Sequence, residues 1–509
     1  MNLYDAIIIG AGIGGLTCAA KLATRGKEVL LLEKIHHIGG TSHTFNRKGY
    51  IFPMGPLSFS FPDVVEQILE EIGFEGELKF QRNHFQLLSP DIDVIYSKEW
   101  EKFKETLQGL FKEEKDGIEM VFKELSIVID SISKVQEWHP DYLLGKNKQR
   151  AEEQINSYQE QLEIIEKYDH LSSREFLDRY LSNESLKRLI GSQGTYLPVM
   201  SVVHLAFMWN VMSIKGIWFP SKEISGINEI LHGIFEKHGG VTMLRTPVKK
   251  IFINNNQATG VETFDGKKFA ADWVIANADY KKVILEMIDP KELEKNFLKS
   301  VQKTPYTGSE LCVYLGIAPE KVDLKKIRTN HLFYRSVLNE ESAKDFIDFA
   351  NKEIEICLWS NNSLNLVPSG KKSLVLRVNM PYSHWDPWRT GEKKRKQGYR
   401  EYKRELAEKL IKTVEEILPG LSEAIEVMEI ATPLTYRDWG QRTKGSIAGW
   451  GRDVTKVRLN NKLLIKTPID HLLMVGIYSV LEPFLGGFPV SMYTGSLAAE
   501  IVLTDDLNI

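Results

Sequence analysis

Cysteine is scarce: a chain of 509 residues carries three, Cys18, Cys312 and Cys357. They lie far apart without metal-ligand spacing, so no metal site is expected from them and they read as buried thiols in a reducing compartment. Long uncharged apolar runs are also missing. Neither end approaches the ~18 residues that suggest a membrane-spanning helix. Thr195 to Pro220 comes nearest, but Pro198, His204, Asn210 and Lys215 interrupt it, and it reads as buried helix and turn. Excess charge of one sign is absent too. The formal net charge is −3 with both signs dispersed, which gives no reason to expect a nucleic-acid partner. No internal repeat or low-complexity tract occurs. The chain opens directly on a strand, leaving no room for a signal or transit peptide, so a cytoplasmic location is expected.

Against these absences stands an ordinary globular composition, 43% hydrophobic, on a length that suggests roughly two to four domains. Its most informative stretch is DAIIIGAGIGGLTCAAKLATRGKEVLLLEKIHHIGG, residues 5–40. Ala6 to Ile9 read as a buried strand, Gly10, Gly12 and Gly15 as a G-x-G-x-x-G turn, Leu16 to Thr24 as a helix, and Glu28 to Leu32 as a second strand ending in Glu33. Gly10 permits the turn, Gly12 lets the backbone approach a pyrophosphate, and Gly15 lets helix and strand pack. The phosphates then lie at a helix N-terminus, where free N–H groups and the dipole favour them. Glu33 is placed to accept hydrogen bonds from a ribose hydroxyl pair and would repel a 2′-phosphate. A plain glycine-rich turn is the competing reading, and the complete strand–helix–strand–acid context argues against it. A second glycine pair, Gly39-Gly40, follows the acid, and soluble nicotinamide dehydrogenases need no such pair.

Further along, Asn46 to Gly49 reads as a turn between short strands, with a corner at Gly55-Pro56. Residues 63–180 change to helical periodicity over Asp63 to Ile72, Glu99 to Ile132 and Gln149 to Asp169, the last charged on most faces. From Gly226 an α/β segment resumes: helix Asn228 to His238, then short strands with turns at Asn254 to Asn256 and Asp265-Gly266, read as a β-ribbon returning to the nucleotide domain. Strand candidates Glu310 to Gly316, Glu353 to Trp359 and Ser373 to Met380, with a helix from about Lys393 to Ile417, suggest a second, mixed sheet. Leu472 to Gly476 reads as a strand and Pro489 to Thr504 as a closing helix. The expected partition is a discontinuous nucleotide-binding domain (1–62, 221–290, 426–509), a helical insertion at the substrate access (63–220) and a substrate domain (291–425).

The extended N-terminal pattern resembles flavoproteins with two dinucleotide-binding domains, and blocks along the chain narrow the likeness. They are Gly39-Gly40-Thr41-Ser42-His43-Thr44-Phe45 with Gly55-Pro56; Gly239-Gly240 with Thr246-Pro247-Val248; Asn277-Ala278-Asp279; Thr432-Pro433 with Gly445 and Gly449; and Val475-Gly476, Gly486-Gly487, Pro489 and Gly495-Ser496. Together these are similar to the phytoene desaturase, carotenoid isomerase and retinol saturase superfamily. The resemblance implies an α/β, Rossmann-like FAD-binding domain with a mixed-sheet substrate domain, and FAD as cofactor. It assigns Gly10, Gly12, Ile13, Gly14, Gly15, Glu33 and Lys34 to the ADP half, Val248 to the adenine, and Gly40 and Thr41 to the ribityl and pyrophosphate path. Pro56 also falls to the cofactor, and Gly476 with Phe488, Pro489 and Val490 to the flavin ring. Three departures stand out: Thr41 where many desaturases have arginine, Ile477 where an acid is usual, and Ser221-Lys222-Glu223 in place of a glycine pair.

The resemblance implies a long apolar polyene or isoprenoid substrate. Tyr196 to Phe219 and Met380 to Trp388 are rich in aromatics and methionine and suit either a tunnel lining or core packing. A substrate drawn from a bilayer would make the protein peripheral to a membrane. Flavin N5 exchanges hydride without a protein nucleophile, so any acid–base help is expected from Glu482 or His43, each of which has a purely structural alternative. Desaturation or saturation is favoured over redox-neutral isomerisation. No second G-x-G-x-x-G is present, so electrons are expected from a quinone, a nicotinamide or a redox protein. A flavin amine oxidase and a non-catalytic FAD-binding lipid carrier remain the alternatives.

Overall fold

The computed structural model describes residues 3–90, 92–96, 99–136, 157–191, 200–336, 346–451, 464–481 and 486–505. Its first unit is β1 (Leu3–Ile9), α1 (Ile13–Thr24) and β2 (Val29–Leu32), running parallel with Ala6 opposite Val29. Ala6 to Ile9 are buried on both faces, as a central parallel strand requires. Five more strands complete the sheet: β3 (Val241–Met243), β4 (Val248–Asn254), β5 (Gln257–Thr263), β6 (Lys268–Ala276) and β7 (Leu472–Met474). The order is β4-β5-β6-β1-β2-β3, with β7 paired to the end of β6. The expected ribbon is β4–β5, antiparallel, turning at Asn255 and Asn256 with φ of 50° and 64°.

Two further helices pack on α1: α2 (Glu223–Lys237) and α3 (Gly487–Asp505). Small residues allow the close crossing. A Cβ at Gly495 would collide with the Gly14 carbonyl, and one at Gly14 would sit 2.8 Å from the Ser491 carbonyl oxygen.

The second sheet orders its strands as Ile425–Ala431, Glu310–Ile317, Lys372–Asn379, Ile354–Cys357, His331–Tyr334, Phe85–Ser89 and Ile92–Ile95. Period-two alternation divides its faces. Leu311, Val313, Leu315, Leu374 and Leu376 pack with the helix Tyr399–Glu415, whereas Cys312, Tyr314, Val375 and Cys357 join the core shared with α1.

Residues 63–220 are thus not all helical. Phe80–Asn83 pairs with Ile217–Pro220, and Phe85–Ser89 with Ile92–Ile95 form one edge of the second sheet. These strands are too short for periodicity to separate from the helices that follow. The helices, including Trp100–Leu110, Lys115–Gln136 and Val202–Trp209, enclose their own aromatic core of Trp100, Phe103, Phe122 and Trp209. Phe111, at φ −118° and ψ 67°, breaks the single helix expected over Glu99 to Ile132. The helix expected from Lys393 starts at Tyr399, because Arg389–Gly391 and Lys394–Arg395 form a hairpin that Asp438 ties down through Lys393 N and the Arg395 guanidinium. Among the described residues no helix is long and apolar enough to cross a membrane.

Candidate functional site

Four adjacent strands, β7, β6, β1 and β2, end side by side, and at their carboxyl edge stand Gly476, Asn277, Gly10 and Glu33. Such an edge is where open α/β sheets bind ligands. Asn277 is the centre of the arrangement. Its Nδ2 donates to the Gly10 carbonyl at 3.3 Å. A Cβ would stand 2.7 Å from Asn277 Nδ2 at Gly12 and 2.6 Å from the Asn277 carbonyl oxygen at Gly10, whose φ is +98°. At Gly15 a Cβ would overlap the Gly10 carbonyl. Gly12 caps α1 without a side-chain hydrogen bond, so Ile13, Gly14 and Gly15 open the helix with no competing side chain.

Glu33 is buried, and its carboxylate accepts from Ala11 N at 2.7 Å and Ile35 N at 2.9 Å. It therefore braces the glycine turn against the end of β2. Thr246 N donates to the Glu33 carbonyl at 2.7 Å, which brings the start of β4 at Val248 to the same corner. Lys34 turns outward to Glu392 at 3.3 Å.

The second glycine pair lies directly on the first. Gly39 N donates to the Ala11 carbonyl at 2.7 Å, and a Cβ at Gly40 would be 3.4 Å from Gly12 Cα. Asn228, in the second turn of α2, packs against Gly39 and accepts from Ser42 Oγ at 3.0 Å. Thr41 accepts from Arg442 Nη2 at 3.0 Å, and a Cβ at Gly55 would stand 2.6 Å from the Thr41 carbonyl oxygen, which brings Pro56 beside this segment. At the far end, Gly476 N donates to Thr494 Oγ1 at 2.9 Å, and Phe488 stacks on Phe59 at 4.9 Å. Pro489 and Val490 follow in the first turn of α3, with Val490 buried.

His43 stacks on His37 at 4.0 Å, and His37 meets His36 edge-on. Burial, then the neighbouring His37 and His36, push the His43 imidazole down to about 4, so it is neutral at pH 7. Glu482, the other acid–base candidate, lies outside the described residues. So do residues 196–199 of the aromatic stretch; most of its described part packs in the helical core, Phe219 in the core shared with α1, and Met380 and Trp385 in that of the second sheet.

A second constellation was not anticipated from sequence. Glu310, Arg377, Glu355 and His331 come together on the second sheet: Arg377 lies 3.6 Å from Glu310 and 3.9 Å from Glu355, and His331 3.2 Å from Glu355. Tyr436 OH donates to Glu310 at 2.6 Å, and Arg377 also donates to the Gly55 carbonyl. The strand pattern reads as apolar, which hides these residues. Asp279, the last residue of the Asn277-Ala278-Asp279 block, forms a third polar node that the sequence pattern does not reveal. Buried, it accepts from Tyr306 OH and Thr443 N, both at 2.6 Å.

The glycine-lined crevice, with a buried acid on the second strand, fits a dinucleotide. The sequence pattern of one family, flavin containing amine oxidoreductases, matches residues 13–415. The chain belongs to that family. It is therefore a flavin-dependent oxidoreductase, of α/β Rossmann-like fold with a mixed second sheet. Relatives place it in the phytoene desaturase, carotenoid isomerase and retinol saturase group. It is 26% identical over 527 residues to a chloroplastic prolycopene isomerase of Arabidopsis thaliana, covering 99% of this chain and 83% of that one. Against an all-trans-retinol 13,14-reductase of Danio rerio the identity is 24%, covering 99% and 87%. A zeta-carotene-forming phytoene desaturase of Myxococcus xanthus is also 24% identical, covering 98% and 93%. Among solved structures, an oxidoreductase from Methanosarcina mazei shares the fold with a TM-score of 0.61 at 15% identity, over 96% of this flavoprotein and 99% of that chain.

Proposed function

We propose that this flavoprotein holds FAD and acts on carbon–carbon bonds of a long apolar polyene or isoprenoid, by desaturation or saturation through hydride transfer at flavin N5. The packing of Gly40 on Gly12 carries the cofactor assignment, because it brings both glycine turns to one crevice whose other end is Gly476. In this reading Gly10, Gly12, Ile13, Gly14, Gly15, Glu33 and Lys34 serve the ADP half and Val248 the adenine. Gly40, Thr41 and Pro56 follow the ribityl and pyrophosphate path, and Gly476, Phe488, Pro489 and Val490 meet the ring. When bound, the flavin supplies two-electron chemistry, and the protein orients one bond and excludes water. Residues 1–62, 221–290 and 426–509 form the cofactor domain, 291–425 the substrate domain, and 63–220 the access region, except that the strands Ile425–Ala431, Phe85–Ser89 and Ile92–Ile95 belong to the substrate-domain sheet. Relatives that span nearly the whole chain and are named for carotenoids and retinol support a polyene substrate.

Electrons pass to or from a quinone, a nicotinamide or a redox protein, and the protein works in the cytoplasm, at a membrane surface when it loads substrate. Purified yellow protein mixed anaerobically with a carotenoid or retinoid is expected to change flavin absorbance stoichiometrically. Oxidation of an amine with no response to any polyene would sink the proposal. A flavin silent toward every lipid, with tight lipid binding retained, would mark a carrier. A second reading, redox-neutral cis–trans isomerisation, is favoured by the prolycopene isomerase likeness and would leave the flavin's redox state unchanged after turnover.

A further inference from the structure

One face of the second sheet looks toward the dinucleotide domain and is apolar over Tyr314, Val375, Cys357 and Ala431. At its end near Gly55 it turns ionic. Arg377 lies directly between Cys312 and Glu355 in the strand register, and Glu310, two residues before Cys312, shares their face. The side chains of Glu310 and Arg377 keep 11% and 14% exposure, so the cluster is deeply buried without being wholly sealed from solvent. Ionic groups buried this deeply are a poor source of stability, since apolar replacements are often neutral or better. A functional role accounts for them more economically.

The groups facing Glu310 come from every element around it: Cys312 from its own strand, Arg377 and Glu355 from the neighbouring strands, Tyr436 from the helix Pro433–Asp438, and Arg442 from the loop beyond. Burial raises the Glu310 carboxyl, against the lowering effects of Arg377 and the Tyr436 hydrogen bond. Glu355 is buried as well, but the His331 hydrogen bond and the Arg377 charge outweigh that burial and lower it. The two neighbouring carboxyls are thus pushed in opposite directions, the pattern that distinguishes an acid from an ionised partner. Through Arg377 the acid is linked to the Gly55 carbonyl, and Gly55 packs on Thr41.

We propose that Glu310 is the proton-transfer group of the reaction, held in place by Arg377 and Tyr436. The inference rests on the polyene reading above. In the saturating direction, a hydride from the reduced flavin, charged beforehand by an external two-electron donor such as a quinol or a nicotinamide, forms one C–H bond. The Glu310 O–H bond breaks, and its proton forms the second C–H bond on the neighbouring carbon. The alkene gains two electrons, the flavin loses two, and the carboxylate left behind rests against Tyr436 and Arg377 until solvent reprotonates it. Desaturation runs the same transfers in reverse.

The test uses the flavin-loaded protein and its Glu310→Gln and Glu310→Asp variants, with retinol and a carotene as probes. Glu310→Gln is expected to keep its flavin while turnover falls about 10²- to 10⁴-fold, and Glu310→Asp to recover part of it. In D₂O the wild type should place one solvent deuteron on the saturated bond. Without substrate, infrared spectra should show a protonated-carboxyl band that persists above the ordinary glutamate range and is missing from Glu310→Gln. Polyene turnover by the wild type with the same rate and pH profile in Glu310→Gln overturns the proton role alone, as does absence of that band from the wild type. A wild type inert toward both polyenes overturns the substrate reading and the proton step together.

Discussion

Arg442 Nη2 donates to Thr41 Oγ1 at 3.0 Å, across 401 residues of sequence. The position after the second glycine pair, which holds arginine in many desaturases, thus receives a guanidinium from the far end of the chain. Arg442 also reaches the carbonyls of Ser446 and Ile447. Replacing it with Met removes all of these bonds, whereas Thr41→Val removes one.

Thr41→Val is expected to cost about 1 kcal/mol of stability and Arg442→Met about 2–4 kcal/mol, given the usual worth of hydrogen bonds to a charged donor. Urea unfolding measures both. The double variant should lose little more than Arg442→Met alone; strict additivity would mean that the two side chains do not communicate.

Gly12 has ordinary extended dihedrals, φ −71° and ψ 170°, so a side chain there is barred by its surroundings rather than by its backbone. Gly12→Val drives a methyl into Asn277, 2.7 Å from the Cβ position, and into the path proposed for the pyrophosphate. The variant is expected to fold, with a wild-type far-ultraviolet circular dichroism spectrum, but to emerge colourless from desalting. Retention of the full 450 nm absorbance would show that the pyrophosphate does not pass this glycine.

The glycine turn, its helix and the second strand were legible because the chemistry is local: turn, cap and acid follow one another within one βαβ unit. The ribbon β4–β5 was legible for the same reason, through its asparagine turn. Asn277, Asn228 and Arg442 were not, since each acts on a glycine turn that only the finished sheet brings near. Glu310 and Arg377 were hidden differently. Each sits in a run of strand-forming residues, and nothing in either run says that the two strands pair with these side chains on one face. The strands at Phe85–Ser89 and Ile92–Ile95 were missed because four or five residues are too few for a period to show beside long helices.

His43 makes stability depend on pH. Its folded value, lowered to about 4 from 6.5, means that the unfolded chain binds this proton more readily. The contribution is therefore complete above pH 6.5 and is lost as pH falls toward 4. Because the ring is only half buried, solvent screening reduces the effect to about 1–2 kcal/mol. Urea midpoints at pH 5 and pH 7.5 should differ more for the wild type than for His43→Gln, and an equal difference would remove His43 as the cause.

Glu33 serves two backbone N–H groups, Ala11 and Ile35. On the proposed placement of the nucleotide, a ribose hydroxyl pair would meet a carboxylate already fixed by its own chain. That preorganisation lowers the cost of binding, since no rotamer has to be ordered when the nucleotide arrives. Glu33→Gln keeps the shape but loses the charge and turns one acceptor into a donor facing Ala11 N–H. Affinity for the cofactor is expected to fall by about 1.5–3 kcal/mol, roughly 10- to 150-fold, the usual worth of a charged hydrogen bond. The same change should lower the stability of the flavin-free protein by about 1–2 kcal/mol, because a buried N–H group loses its acceptor. Fluorescence titration of the apoprotein with FAD measures the first and urea unfolding the second. A loss of affinity without a loss of stability would assign Glu33 wholly to the ribose; a loss of stability with affinity unchanged would make it a strut of the turn and move ribose recognition elsewhere.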